Sequence, residues 1–397
     1  MKSFKEYDFK GKKALIRVDY NVPLDDNQKI TDTNRIDATI PTIREVLDKG
    51  GAAILMSHLG RPKKGPESKL SLSHIVSYLE KVFSTTILFA DDCIGESARN
   101  MAAGLKPGQI LLLENLRFYK EEEVGDADFA KKLADLGDVY VNDAFGTAHR
   151  EHASTAVIAR YFPNDKLFGL LMEAEINSLK KVVHGAERPF TAVLGGAKVS
   201  SKLKVIENLI GKVDNLIIGG GMMFTFIKAM GGNIGGSMVE NDLLEVAKNI
   251  IDGANSFGAK LILPVDVIAA DAFANDAKRI ECSVGEIPSD YMGLDIGMKS
   301  CKLFEEVLMN SKTILWNGPM GVFEMPNFQH GTKYIATAVA NATQKGAFSL
   351  IGGGDSVAAI NKFKMADKVS YVSTGGGAML EYIEGKILPG VAAIESK

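Results

Sequence analysis

The 397-residue sequence has little cysteine, one tryptophan and no apolar run long enough to cross a membrane. Cys93, Cys282 and Cys301 are far apart and form neither a CxxC pair nor a metal-ligand spacing. This pattern favours reduced thiols over a disulfide framework or a zinc site. The first ten residues alternate charged and aromatic side chains and lack the apolar core of a signal peptide. We therefore expect a cytoplasmic protein.

Neither sign of charge is in excess, since 46 basic and 49 acidic side chains leave a net charge of -3. This balance gives no indication of nucleic-acid or membrane binding. Arginine is nevertheless confined almost wholly to the first half, because only Arg279 follows residue 190. Since a guanidinium suits bidentate anion binding and a lysine acts as a point charge, the two halves could bind different anions. The alternative is that the uneven distribution of arginine reflects only drift in surface composition.

The length exceeds what one hydrophobic core usually supports, and short apolar runs alternate with longer amphipathic stretches. This rhythm predicts an α/β protein with two Rossmann-like, doubly wound parallel-sheet domains. A helical pattern over 170–184, followed by the breaker sequence GAERP, predicts an inter-domain helix and hinge. The predicted strands are Ala14–Val18, Ala52–Met56, Ile110–Leu113, Val139–Val141, Phe190–Leu194, Leu216–Ile218, Leu261–Leu263, Ile314–Trp316, Ser349–Ile351 and Val369–Val372.

Ligands of open α/β sheets bind beyond the carboxyl ends of the strands. In the first half, the residues at such ends and in nearby loops are rich in basic side chains, which could converge on a small, multiply charged anion. A lone arginine or histidine is more often structural, but several at separate strand ends favour a site. The residues concerned are Asp19, Asn21, Arg35, His58, Arg61, Arg117 and Arg150.

In the second half, glycine clusters follow several predicted strands. Repeated clusters suggest a phosphate-rich ligand, although one cluster alone would more often be a tight turn. Lys198 and Lys202 stand four apart, which on a helix would put both ammonium groups on one face. Asp355 is a candidate Mg²⁺ contact, with a helix N-cap, shared with Ser356, as its alternative role.

Longer motifs carry a family resemblance. They are RVDYNVP at 17–23, SHLGRP at 57–62, ENLRF at 114–118, VNDAFGTAHR at 141–150, LGGAKV at 194–199, WNGPMGVFE at 316–324, GGGDS at 352–356 and STGGGA at 373–378. With these motifs in this order, the chain resembles the phosphoglycerate kinase family over essentially its whole length. The resemblance implies a phosphoglycerate-binding domain over 1–170, an inter-domain helix over 171–185, and a Mg-nucleotide-binding domain over 186–379. It also implies that 380–397 packs back on the first domain.

The resemblance also implies the site residues. Those for 3-phosphoglycerate or 1,3-bisphosphoglycerate are Asp19, Asn21, Arg35, His58, Arg61, Arg117, His149 and Arg150. Those for ADP or ATP are Gly196, Ala197, Lys198, Lys202, Gly219, Gly220, Gly293, Leu294, Asn317, Pro319, Glu324, Gly353, Gly354, Asp355 and Ser356, with Asp355 also on Mg²⁺. The catalytic residues would be Arg35, Lys198, Lys202, Gly375 and Gly376, acting by in-line transfer after the domains close.

Two other readings remain at this point. A dehydrogenase or Walker-type ATPase would need a GxGxxG sequence after a strand or a GxxxxGK[ST] loop, and neither is found. A non-catalytic two-lobed anion-binding protein would need the arginines but not Lys198, Asp355 or Glu324. The sequence departs from the common family pattern at Tyr20, Ser201 and Tyr371, none of which is a predicted phosphate contact. We expect a monomer.

Overall fold

The computed structural model describes residues 3–396, so Met1, Lys2 and Lys397 lie outside it. Contacts within this range divide the chain into two compact units. The first contains residues 3–176 together with 387–396, and the second is Asn177–Lys386. The expected bounds were 170 and 379, six and seven residues earlier in the chain. Each unit is described separately below.

The regular elements alternate along most of the chain. The strands are β1 (Lys13–Arg17), β2 (Ala52–Met56), β3 (Ile87–Ala90), β4 (Ile110–Leu113), β5 (Val139–Asn142), β6 (Lys166–Phe168), β7 (Phe190–Leu194), β8 (Asn215–Ile218), β9 (Asn233–Ile234), β10 (Lys260–Ile262), β11 (Asp266–Ala270), β12 (Arg279–Ser283), β13 (Glu286–Ile287), β14 (Met292–Ile296), β15 (Thr313–Asn317), β16 (Phe348–Ile351) and β17 (Tyr371–Val372). The helices are α1 (Asn34–Asp37), α2 (Ile40–Asp48), α3 (Val76–Phe83), α4 (Glu96–Gly104), α5 (Lys120–Glu123), α6 (Ala127–Ala134), α7 (Leu170–Val183), α8 (Leu203–Leu209), α9 (Met223–Ala229), α10 (Leu244–Phe257), α11 (Met298–Met309), α12 (His330–Gln344), α13 (Gly354–Lys362), α14 (Gly376–Ile383) and α15 (Pro389–Glu395).

Each unit is built on one six-stranded parallel sheet. The strand order is β3-β4-β2-β1-β5-β6 in the first unit and β10-β8-β7-β15-β16-β17 in the second. Strands β2, β4 and β7 are buried at every position. Continuous burial is what a parallel sheet covered on both faces requires, and it explains the unbroken apolar runs in the sequence. The predicted fold class is confirmed.

The second unit also contains strands that the sequence did not reveal. Strands β12, β11 and β14 form a three-stranded antiparallel sheet, and β13 pairs with β9. Exposure along β12 alternates, so this strand lacks the buried apolar run by which the other strands were recognised. Strands β3 and β6 of the first unit were also not predicted. Among the helices of residues 3–396, none is both long enough and apolar enough to span a bilayer.

The long helix α7 begins where two side chains cap its first backbone N–H groups. Thr42 Oγ1 accepts from the N–H of Leu170 at 2.9 Å, and Asp143 Oδ1 accepts from the N–H of Met172 at 3.1 Å. Gly169 permits this approach, because a Cβ there would lie 2.2 Å from Asp143 Oδ1. Burial raises the pKa of Asp143 to about 7, against hydrogen bonds from the Thr42 side chain and from the N–H groups of Met172 and Leu171, which lower it. The helix therefore starts from a fixed point of the first unit.

Candidate functional site

In the first unit, the loops after β1 and β2 meet because these strands are parallel neighbours, with Arg17 opposite Met56. Asn21 Oδ1 accepts from the N–H of Gly60 at 2.8 Å, which ties the two loops together. Nδ1 of His58 lies 3.9 Å from Oδ1 of Asp19. The two predicted strand-end clusters therefore form one surface.

Arg35 and Arg117 approach this surface from different elements. Arg35, in α1, donates from Nη1 to Asp19 Oδ2 and to the carbonyl of Asn21, both at 3.1 Å. Arg117 follows β4 and donates from Nη1 to the carbonyl of Gly60 at 2.9 Å. The Arg35 side chain is 39% exposed, whereas that of Arg117 is only 4% exposed. Arg35 is therefore the guanidinium that solvent or a ligand reaches more easily.

The electrostatics of His58 show which arginines surround it. Burial lowers the pKa of His58 well below its ordinary value, and the charges of Arg17, Arg117, Arg35 and Arg150 lower it further. Asp19 at 3.9 Å favours the protonated ring but is outweighed. Because Coulomb interactions weaken with distance, all four arginines act near one point. A neutral imidazole thus lies within electrostatic reach of four guanidinium groups.

The remaining predicted residues of this unit differ in position. His149 and Arg150 are adjacent, with Nε of Arg150 3.2 Å from Nε2 of His149. Arg61 is exposed in the loop that follows Gly60. The structure therefore brings Asp19, Asn21, Arg35, His58, Arg117 and Arg150 together, and leaves Arg61 facing solvent beside them.

Sequence reasoning did not assign Arg17 to the site. Its side chain is buried, and Nε donates to Ser154 Oγ at 2.8 Å, while Nη2 lies 3.3 Å from Nδ1 of His58. Ser154 Oγ in turn donates to Glu122 Oε1 at 2.6 Å, so a buried carboxylate is connected to the buried guanidinium. An arginine at the end of an otherwise apolar strand was the available signal, because a charge buried there needs a reason.

In the second unit, three strand-end loops pack backbone against backbone. The N–H of Gly196 donates to the carbonyl of Pro319 at 3.0 Å, and the N–H of Gly220 donates to that of Met320 at 3.2 Å. A Cβ on Gly220, whose φ is +66°, would lie 2.5 Å from the nitrogen of Gly196. These glycines are therefore needed for the loops to pack, whether or not a phosphate binds there.

A fourth loop joins this group through Asn317. Its Nδ2 donates to the carbonyl of Gly352 at 2.7 Å, and the N–H of Gly318 donates to Ser356 Oγ at 2.5 Å. Helix α13 begins immediately after, with Asp355 exposed in its first turn. The Ser356 hydroxyl is buried and holds the neighbouring loop, which gives this residue a structural role.

The two predicted lysines do not share a helix face, because α8 begins only at Leu203. That expectation was wrong: Val199 is buried, and the loop carrying it turns before the helix starts. Lys198 is exposed, whereas Lys202 is mostly buried and its Nζ lies 3.5 Å from the carbonyl of Asn317. Burial lowers the pKa of Lys202 to about 8, against the charge of Asp355, which raises it.

The other predicted nucleotide residues lie around these loops. Gly293 and Leu294 belong to β14, and the carbonyl of Leu294 accepts from the N–H of Val322 at 2.9 Å in the segment that follows Pro319. Glu324 is exposed two residues later. Gly375 precedes and Gly376 begins α14, after the edge strand β17. A Cβ on Gly293 would lie 2.2 Å from Cζ of Phe224, so glycine leaves room here for an aromatic ring.

A Mg²⁺ ion would have Asp355 as its protein ligand. Across residues 3–396, no group of three or more His, Cys, Asp or Glu side chains could hold a metal by itself. A single carboxylate fits a Mg²⁺ ion that takes most of its oxygens from phosphates and water. The nearby Lys202 ammonium suits the same phosphates. The single carboxylate is therefore compatible with a metal that would arrive with a nucleotide.

Comparisons with known proteins show which family the chain belongs to. Residues 4–386 match the family model described as phosphoglycerate kinase. The chain belongs to the phosphoglycerate kinase family. It is 55% identical to "Phosphoglycerate kinase" of Porphyromonas gingivalis, over 99% of this chain and 100% of that protein, and 54% identical to "Phosphoglycerate kinase, cytosolic" of Triticum aestivum, over 98% and 97%. The solved phosphoglycerate kinase of Coxiella burnetii superposes with a TM-score of 0.90 at 40% identity, covering 99% of this chain and 98% of that one. The resemblance inferred from the motifs is confirmed.

Proposed function

We propose that this phosphoglycerate kinase family member transfers a phosphoryl group reversibly between 1,3-bisphosphoglycerate and Mg-ADP, giving 3-phosphoglycerate and Mg-ATP in glycolysis and gluconeogenesis. Family membership supports the reaction class. The observation that carries the assignment of the acidic substrate is that Arg35 and Arg117 hydrogen-bond to the two loops that Asn21 and Gly60 join beside His58. The charges of Arg35, Arg117 and Arg150 act on the same imidazole. A ligand with both a carboxylate and a phosphate can use several guanidinium forks at once.

The acidic substrate would bind on the first unit. Arg117 and Arg150 would hold its non-transferred phosphate, together with Arg61 and His149. Neutral His58 can donate one hydrogen bond without adding charge, and Asp19 and Asn21 offer acceptors to a hydroxyl. Arg35 is half exposed and already oriented by Asp19, which suits a guanidinium that must reach the transferring phosphoryl group.

The nucleotide would bind on the second unit. The loops after β7, β8, β15 and β16 lie at one edge of its sheet, and Lys198 and Lys202 extend from the first of them. Gly293, Leu294 and Glu324 would contact the nucleoside, while Asp355 would hold Mg²⁺, which neutralises charge on the phosphates. Gly375 and Gly376 would offer backbone N–H groups beside the transferred group.

The chemistry asks little covalent work of the protein. The bond between phosphorus and the acyl oxygen breaks as a β-phosphate oxygen of ADP bonds to the same phosphorus, and the carboxylate of 3-phosphoglycerate leaves. Arg35 and Lys198 would stabilise charge on the equatorial oxygens. Since the two ligands would be held on different units, transfer requires those units to close, which stays a prediction. The cytoplasmic location and monomeric state are part of the same proposal.

A coupled assay of the full chain tests this assignment. Wild type should form ADP from ATP only when Mg²⁺ and 3-phosphoglycerate are both present. Lys198→Ala should lower kcat at least about 100-fold, the loss typical of removing one group that stabilises transition-state charge. Absence of turnover in wild type, or near-normal turnover in the variant, would reject the assignment or remove Lys198 from it.

A further inference from the structure

We infer that Glu240 is a positioning residue for Lys198, and that it acts by holding the loop 196–202 in place. This inference rests on the proposed function only in that it gives Lys198 a role in nucleotide binding. Glu240 lies outside the motifs and contacts no predicted site residue by hydrogen bond among those that the structure describes. Its partners belong instead to the backbone and side chain that directly follow Lys198.

The loop carrying Lys198 is held near its two ends, where the N–H of Gly196 donates to Pro319 and Nζ of Lys202 lies near Asn317, but its middle is exposed. Ala197, Lys198, Ser200 and Ser201 are exposed, and only Val199 enters the core. Within the loop, Ser201 Oγ donates to the carbonyl of Lys198 at 2.8 Å. A backbone with so many exposed residues and so few buried contacts is expected to open locally unless something else fixes it.

Glu240 supplies that contact through both carboxylate oxygens. Oε2 accepts from the N–H of Ser200 at 3.0 Å, and Oε1 accepts from Ser200 Oγ at 2.6 Å. Burial raises the pKa of Glu240. Hydrogen bonds from Ser200 and from the N–H of Val199, together with the charge of Lys198, lower it by more, so the pKa lies below its ordinary value. The carboxylate is therefore ionised and bound to the loop at neutral pH.

Both ends of the loop are tied to helix α9. At the Gly196 end, its carbonyl accepts from the N–H of Met222, immediately before α9, at 3.0 Å. At the other end, the N–H of Glu240 donates to Oγ1 of Thr225, a buried residue of α9, at 3.2 Å. Lys198 thus lies between two attachments, one at the residue before α9 and one at Thr225 within it. Releasing the Glu240 attachment removes a contact that fixes the backbone two residues after Lys198, although the N–H of Lys202 still donates to the carbonyl of Val199 at 2.8 Å.

Kinetics of Glu240→Ala test the inference, with Asp242→Asn as the matched control because Asp242 is an exposed acid of the same segment. We expect Glu240→Ala to lower kcat/KM for Mg-ATP about 10- to 100-fold, since small misplacements of a positioned group have effects of this order. The KM for 3-phosphoglycerate should stay within about twofold of wild type, as should every constant of Asp242→Asn. Glu240→Gln, which keeps an acceptor for the Ser200 N–H, should fall between wild type and Ala. A Glu240→Ala enzyme indistinguishable from Asp242→Asn would overturn the inference.

Binding of Mg-ADP separates an effect through Lys198 from a general one. If Glu240 acts through Lys198, Lys198→Ala and the double variant Lys198→Ala/Glu240→Ala should bind Mg-ADP equally weakly. If the losses of affinity in the two single variants multiplied in the double variant, the coupling would be rejected. Exchange of the Val199 and Ser200 amide hydrogens tests the contact without any turnover, and it should be faster in Glu240→Ala. If wild type lacked turnover but these amides exchanged faster in Glu240→Ala, the proposed function would be rejected and the contact between Glu240 and the loop would stand. Unchanged exchange in Glu240→Ala would reject that contact.

Discussion

Nη2 of Arg17 lies 3.3 Å from Nδ1 of His58. Because a guanidinium can only donate, Nδ1 must be the accepting nitrogen of the imidazole, and the ring proton must be on Nε2. The buried pair Ser154 and Glu122 fixes Arg17 from its other side. An arginine that touches no predicted ligand thus determines which nitrogen of His58 can donate.

The first prediction concerns the charge of His58. Its pKa is lowered by burial and by four arginines, so the folded protein should not protonate it near pH 6.5, whereas the unfolded chain does. Its contribution to the free energy of unfolding is therefore full above about pH 6.5 and decreases as the pH falls below that value. Nitrogen-detected NMR should show the neutral ring, with the proton on Nε2, from pH 8 to pH 5.5. A titration with its midpoint in that interval would contradict the assignment.

The second prediction concerns Lys202, whose pKa is lowered to about 8, first of all by burial. Its ammonium is charged below that pH and neutral above it, so the affinity of the free enzyme for Mg-ADP should fall about tenfold between pH 7 and pH 9. Lys202→Arg keeps its charge throughout and should remove most of this dependence. Isothermal titration calorimetry measures both proteins. A dependence equally steep in the arginine variant would assign the transition to another group.

The third prediction uses two glycines of the second unit. Gly220→Ala introduces a Cβ 2.5 Å from the nitrogen of Gly196 at a φ of +66°, so it should lower the free energy of unfolding by about 2–4 kcal/mol and weaken Mg-ADP binding. Gly253→Ala, inside α10 with its nearest atom at 4.0 Å, should raise that free energy by about 0.5–1 kcal/mol.

Trp316 allows the effect of both substitutions on the stability of the second unit to be measured. It is the only tryptophan, it is fully buried, and it lies in β15 of the second unit. Its fluorescence during urea unfolding therefore reports on that unit. A Gly220→Ala variant as stable as wild type would show that the contacts at Gly220 do not determine the packing of the three loops, and a destabilised Gly253→Ala would contradict the expectation for α10.

Much of the fold could be predicted from the sequence because buried parallel strands leave a plain pattern. The predicted runs Ala52–Met56, Ile110–Leu113 and Phe190–Leu194 match β2, β4 and β7. The antiparallel strands β11, β12 and β14 were missed, since β12 is half exposed and carries no apolar run. The residues after Leu263 were interpreted as a loop beyond a strand end. Asp266 instead begins the next strand, β11, where it is buried and accepts from the N–H of Ser300 at 2.7 Å.

The site could be predicted where a basic residue follows a predicted strand or lies in a nearby loop. His58 and Arg117 follow β2 and β4, and their proximity follows from the pairing of these parallel strands. Arg35 was found as a basic residue of a nearby loop, and the structure places it in α1. Arg17 was missed although an arginine at the end of an apolar strand was a usable signal, and its hydrogen bond to Ser154 could not be read from the sequence. Glu240 could not be found, because its role depends on hydrogen bonds to a residue far away in the sequence. The helical placement of Lys198 and Lys202 failed because spacing alone does not show where a helix begins.

The division of labour between the two units is tested most directly by binding each ligand to each of two variants, Arg35→Ala and Lys198→Ala. By calorimetry, Arg35→Ala should bind 3-phosphoglycerate at least about tenfold more weakly and Mg-ADP as wild type does, since a lost hydrogen bond between charged groups costs about 1.5–3 kcal/mol. Lys198→Ala should bind Mg-ADP at least about tenfold more weakly and 3-phosphoglycerate as wild type does. If either variant lost both ligands equally, or if the pattern were exchanged, the assignment of the acidic substrate to the first unit and the nucleotide to the second would be wrong.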